Sequence, residues 1–364
     1  MATSQHSARE QGLARLHTGQ TALAEGRLER AVDALVEAES IFRQLDDQEH
    51  LGDSRMALAE AQRQHGAIDQ SANSYSQAIE LYREANLPAR EASASLALGH
   101  VERLRGRDEK AADYYTTART LATQAHDTLI EADAARGQGD MLTSQSRYAE
   151  AHEAIHRARE LYQQLRDQFG EVDTYVGEGR LALETADLDE AENDFGEAIA
   201  LSEPIEYPLG VADGILGLGE VALHRNRLDQ ALASGLRAEE DYRVAGSSLG
   251  QAEANRLLGE VNLLRGQLAQ SIAVFDRAIR ALRTLKAQLP YARATLGAAE
   301  AHRRKGTPRK AEDLFTEARD LARETSHAVL EARASLGLGQ IARHRGLSST
   351  AAPLLRESAR RLED

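Results

Sequence analysis

The chain repeats itself every 40 residues. Ala38, Ala78, Ala118, Ala158, Ala198, Ala238, Ala278 and Ala318 form one column, with Ser358 as its ninth member. Three residues earlier stands a bulky column of Leu35, Tyr75, Tyr115, Ile155, Phe195, Phe275, Phe315 and Leu355, broken only by Gly235. Seven residues before the alanines, a second small column runs from Ala31 and Ser71 to Ala311 and Ala351. A fourth reads Gly19, Ala59, Gly99, Gly139, Gly179, Gly219, Gly259, Ala299 and Gly339. Nine registered copies without insertion fill almost all 364 residues. A fixed period of this size specifies a solenoid, in which each unit buries its apolar face against the next.

Each unit reads as two helices. In residues 91–126, Ala92, Leu96, Leu98, Gly99 and Val101 recur at helical spacing. Gly106 then offers a left-handed stop and Asp108 an N-cap. Ala111, Tyr115, Ala118 and Leu121 form one face of a second helix. The turn inside the unit repeats as Gly26, Gly66, Gly106, Ser146, Ala186, Asn226, Gly266, Gly306 and Gly346. Pro88, Pro204, Pro208 and Pro290 fall between units, and Pro308 and Pro353 near the start of second helices. No stretch alternates as a strand would. Gly235 leaves a gap in the bulky column, to be filled by a neighbour such as Tyr242 or left as a local dent.

These columns resemble the tetratricopeptide repeat family, whose motif sets Gly, Ala, an aromatic and Ala at fixed offsets. Gly99, Ala111, Tyr115 and Ala118 match it, as do Gly219, Ala231 and Ala238, and Gly339 and Ala351. The likeness covers residues 8–364 and implies an all-α, right-handed superhelix of nine repeats and about 18 helices. The expected repeats are 8–47, 48–87, 88–127, 128–167, 168–207, 208–247, 248–287, 288–327 and 328–364, forming one solenoid. Two departures stand out. The unit is longer than the family's 34 residues, which predicts a longer second helix. The family's early aromatic survives only at Tyr175. The period is similar to that of Pins-type spindle-orientation adaptors and bacterial relatives.

Composition narrows the function. The chain has no Cys, which removes disulfides and thiolate metal sites and fits a reducing compartment. No apolar signal segment opens it and no run could span a membrane, so a cytoplasmic protein without membrane insertion is expected. A net charge of −14 disfavours nucleic acid.

Two motifs suggest chemistry and fail against the repeat frame. His152-Glu153-Ala154-Ile155-His156 spells a zinc-peptidase motif. Its histidines occupy a column filled elsewhere by Val32 and Val36, Ala72 and Ser76, or Glu192 and Gly196, on the outer helix. Gly137-Gln-Gly139 and Gly177-Glu-Gly179 lie inside first helices, with no strand ahead of them. No catalytic residue, metal site, cofactor or enzymatic activity is expected.

The resemblance implies that first helices line a concave groove, with residues six before, three before, and one, four and five after the glycine column facing it. Asp133, Asp140, Asp173, Asp213, Glu220, Glu253 and Glu260 would then form an acidic stripe. Arg180 interrupts it, and Arg293, Glu300, Arg303 and Arg333 carry the groove toward a basic end. Residues 171–280 hold 21 acidic and 9 basic side chains, and residues 281–364 hold 10 and 16. The first functional expectation is a non-enzymatic scaffold or adaptor that binds a peptide or helix of a partner protein, a basic one at the stripe. A second is head-to-tail self-association through the solenoid ends, since the last unit stops at its second helix without a further capping helix. A third is a peptide-sensing regulator. Family members of that kind carry an N-terminal effector domain, for which a first repeat beginning near residue 8 leaves no room.

Overall fold

Alternating runs of small and bulky residues give helices wherever the period places them. The computed structural model describes the backbone of residues 2–325 and 327–363, and side chains throughout these except at 2–4, 357 and 361–363. Eighteen helices follow one another: α1 (Ala2–Ala24), α2 (Leu28–Gln44), α3 (Gln48–Gln64), α4 (Ile68–Glu84), α5 (Pro88–Leu104), α6 (Asp108–Ala125), α7 (Thr128–Ser144), α8 (Tyr148–Leu165), α9 (Gln168–Glu184), α10 (Leu188–Ser202), α11 (Pro208–His224), α12 (Leu228–Val244), α13 (Ser248–Leu264), α14 (Leu268–Leu285), α15 (Gln288–Lys305), α16 (Pro308–Glu324), α17 (Ala328–His344) and α18 (Ser348–Glu363). There is no strand among the described residues. Odd-numbered helices are the first of each repeat and even-numbered ones the second. The helices group into an N-terminal unit, residues 1–103 and 108–141, and a C-terminal unit, residues 104–107 and 142–364.

The bulky column is a wedge between backbones. A Cβ built on Gly99 would meet the Tyr115 ring at 2.8 Å, and one on Gly137, 22 residues beyond that tyrosine, at 2.7 Å. Phe195 fills the same place against Gly179 and Gly217, and Phe275 against Gly259 and Gly297. Each of these rings thus sits between its own first helix and the next one, where glycine on both sides lets the backbones close on it. Gly235 reverses the sizes. The position 22 residues on, glycine in several other repeats, is Leu257, and the leucine fills the gap from the opposite side. A Cβ on Gly235 would lie 2.8 Å from Leu258 and 3.6 Å from Leu257, and one on Gly219 would lie 2.7 Å from Leu257. The filler is therefore this leucine pair. Tyr242, the candidate named from sequence, packs on Gly250 instead, and no dent remains.

Turns are set by left-handed residues. All nine members of the column from Gly26 to Gly346 have positive φ, including Ser146, Ala186 and Asn226. A second such column, from Asp46 and Asn86 to Gly246 and Lys286, separates the repeats. Asp47, Asp127, Asp167 and Ser247 cap the first helices that follow them. Three local expectations are corrected. α6 starts at Asp108 itself, so the cap position falls on Arg107. Pro353 lies inside α18, where it removes a helical hydrogen bond. The longer period is shared, since α3 and α4 have 17 residues each, rather than concentrated in the second helix.

Asp194 breaks another column. Its equivalents are Ala34, Ser74, Tyr114, Ala154, Ser234, Val274, Leu314 and Leu354. Ser74 donates to Gln62, 12 residues earlier, at 2.8 Å. The residue 12 before Asp194 is Ala182, which offers no partner, and Asp194 Oδ2 is buried without a hydrogen bond. Burial, then the like charges of Glu190 and Glu197, push its carboxyl up to about 6.

Two outcomes follow from these contacts. Gly235→Phe should cost roughly 1–3 kcal/mol by overpacking, and adding Leu257→Gly should recover most of it, as read by urea unfolding. An unfolded aspartate titrates near 3.8 and the folded Asp194 at about 6, so its penalty is absent at acid pH, grows through that window and is complete at neutral pH. Asp194→Asn should therefore stabilise the protein on the order of 2 kcal/mol at neutral pH and hardly at all below pH ~4, as read by thermal melts.

Candidate functional site

In the C-terminal unit, α9, α11, α13, α15 and α17 touch in succession and form one layer. Ion pairs running between these helices identify the layer's inner face. Arg180 on α9 donates to Asp213 on α11 at 3.4 Å, and Arg256 on α13 donates to Glu220 on α11. Arg293 on α15 comes within 4.0 Å of Glu184 at the end of α9, across two intervening helices. A side-chain contact over that interval requires the layer to curve, and these residues lie on its concave side.

Arg256 organises the centre. Its guanidinium donates to Glu253 at 2.7 Å and Glu260 at 2.9 Å, besides Glu220. Burial works against the charge of Glu253, but Arg256 outweighs it and holds the carboxyl below its usual range. Burial likewise opposes the charge on Arg256, and the three carboxylates raise its pKa well above normal. Asp213 accepts from Tyr242 at 2.6 Å as well as from Arg180, and burial followed by this carboxylate pushes the phenol far up. Asp173 accepts from Tyr207 at 3.1 Å. Glu300 takes both Arg303, at 2.6 and 2.7 Å, and Arg304, at 2.7 Å. Arg333 and Arg343 on α17 are exposed and make no side-chain ion pair among the described residues.

Asp133 and Asp140 lie on α7 in the N-terminal unit, apart from the other ten expected groove residues. Asp140 accepts from Arg103 at 3.1 Å. Nearby, Tyr115 meets His100 Nδ1 at 2.9 Å, and burial followed by the Arg103 charge lowers that histidine to about 3. Asp53, in the same column as Asp133 and Asp213, receives Tyr82 at 2.8 Å and Arg90 at 2.6 Å.

Arg256 was missing from the expected site. Its column, three before the glycine, is apolar at Leu16, Met56, Leu96, Val176, Leu216, Leu296 and Leu336 and holds arginine only at Arg136 and Arg256, so an arginine there was the available signal. The histidines of the zinc-like motif are exposed on α8 with rings 6.2 Å apart, and His156 faces Glu160 at 3.7 Å. No cluster of three metal-ligating side chains occurs among the described residues, and none of the described helices is long and apolar enough to cross a membrane.

A family model described as "Tetratricopeptide repeat" matches residues 56–126, 176–244, 237–284 and 275–324. No curated protein matches the chain in sequence. Among solved structures, NprR in complex with its cognate peptide NprX is similar, with TM-score 0.66 and 12% identity over 96% of this chain and 99% of that one. The Rap conjugation gene regulator of plasmid pLS20, in complex with the Phr* peptide, gives TM-score 0.65 and 14% identity over 98% and 95%. Aspartyl phosphate phosphatase F from Bacillus subtilis gives 0.58 and 11% over 98% and 94%. At these identities the likeness is one of fold.

Arg256→Gln would leave three carboxylates packed together without their cation. The C-terminal unit should lose about 3 kcal/mol at neutral pH. The loss should shrink as pH falls and the carboxylates take up protons, which denaturant unfolding at neutral and acid pH will read.

Proposed function

Because the chain belongs to the tetratricopeptide repeat family, we propose that it is a non-enzymatic binding module whose concave face, from α9 to α17, holds a peptide segment of a partner. The observation that carries this reading is the gradient of charge along that face. Around Arg256, three arginines (Arg180, Arg256 and Arg293) stand against four carboxylates (Asp213, Glu220, Glu253 and Glu260) and nearly balance them. At one end, Asp173 and Glu184 on α9 lend negative charge. At the other, Arg303 and Arg304 exceed Glu300, and Arg333 and Arg343 make no side-chain ion pair among the described residues. Leu183 and Leu223 are half-buried beside this row and Leu264 is exposed. Such a surface fits a short segment with an apolar middle, a basic or amino end over α9 and a carboxylate end over α17.

The acidic stripe is thus read as largely self-neutralised, and the basic end as the part left for a ligand. The fold-level likeness to NprR and the pLS20 regulator, both described in complex with peptides, supports a peptide over a folded domain as the occupant. Peptide sensing and adaptor work share this groove chemistry. The cysteine-free chain agrees with a cytoplasmic setting.

Peptides that co-purify from the native extract can be identified by mass spectrometry and resynthesised with free or amidated C-termini. Calorimetry should find the free acid bound roughly tenfold tighter, with that advantage lost in Arg343→Ala or Arg333→Ala. Equal affinity for acid and amide, or indifference to both substitutions, would sink the reading.

A further inference from the structure

The edge of the C-terminal unit where repeats join carries an apolar ladder. The second residue of α9, α11, α13, α15 and α17 is Phe169, Leu209, Leu249, Leu289 and Val329. Phe169, Leu249 and Val329 are exposed, at 51%, 39% and 44%, and the two between them are half-buried. Val244, at the end of α12 beside the middle rung, is 69% exposed, the most of any large apolar residue among the described ones. The turn at the middle of this edge is free of charge. Residues 244–250 carry none, in a chain of which 28% is charged. Exposed apolar side chains around a charge-free centre are the signature of an interface core.

A pair of charges on the turns flanking this centre indicates what covers it. Glu206 and Lys286 occupy the same left-handed turn position one repeat to either side of the central turn, with φ of 55° and 53°. Both are exposed and have no ion pair among the described residues. We propose that this edge is a two-fold interface between two copies of the chain, with its axis at Val244 and Leu249. A ladder with a one-repeat step is matched in spacing by another ladder with the same step. Antiparallel pairing about that axis puts Glu206 of each copy against Lys286 of the other, and Phe169 against Val329. The contact is self-complementary and closes as a dimer, unlike end-to-end stacking.

Sedimentation velocity across the micromolar range tests this on the full chain, with circular dichroism confirming that each variant is folded. The wild type should form a dimer and Val244→Asp a monomer. Glu206→Lys and Lys286→Glu should each weaken the dimer roughly tenfold, because each places two like-charged pairs across the axis. The double variant Glu206→Lys with Lys286→Glu should restore it. A monomeric wild type, open-ended oligomers, or a double variant as weak as the singles would each overturn the proposal. Peptide affinity at the concave face is a separate readout and does not decide it.

Discussion

An aromatic ring pressed between two glycine backbones sets the geometry of the repeats. Tyr115 between Gly99 and Gly137, and Phe195 between Gly179 and Gly217, fix the distance from a second helix to both first helices it touches. At these rings there is no room for a Cβ on the facing backbone, whereas Tyr75 and Phe315 stand at the same offsets from Ala59, Ala97 and Ala299. The pairing of Gly235 with Leu257 shows that the preserved quantity is the volume at the junction, since large and small have exchanged elements while the helices keep their 40-residue register. Everything on the concave face depends on this, because wedges of constant thickness bring successive first helices into one layer where side chains 33–37 residues apart can bond.

With the backbone spacing fixed by the core, the inward columns are free to vary, and here they hold charge. A carboxylate row of this density would repel itself in a partly buried face. The chain answers with cations and phenols of its own: Arg256 among three glutamates, Arg180 and Tyr242 on Asp213, Arg90 and Tyr82 on Asp53. Such networks contribute little net stability compared with apolar packing, but a partner meets groups already oriented and pays less entropy on binding.

The sequence makes the wedge, the two helices per repeat and all nine internal turns legible, since each is a column in which one backbone requirement selects one residue size or one dihedral. Ala186 and Asn226 could be placed in left-handed turns only because Gly26 and Gly66 mark the column. What the columns do not encode is which side chains meet. Arg256 stands in a mostly apolar column, yet its partners lie in the columns six before and one after the glycine on two helices, and only their reach from a curved layer joins them. Asp194 is the converse: the column flags it as foreign, but its unpaired state depends on Ala182 standing where Gln62 stands in an earlier repeat. The split of Asp133 and Asp140 from the other ten groove residues follows from how helices cluster, which no column records.

A repeat therefore separates two kinds of information. Positions facing the wedge must agree from copy to copy, because a misfit there shifts every helix beyond it. Positions facing outward are under no such demand, so agreement among them calls for another cause. The inward charges differ from helix to helix, as recognition of one extended ligand by successive helices would have it. The rungs from Phe169 to Val329 stay apolar through five successive repeats, and although Leu209 and Leu289 also pack on the core, Phe169, Leu249 and Val329 keep much of their surface exposed. Uniformity at the surface points to a partner that is itself periodic with the same step, and variation in the groove to one that is not.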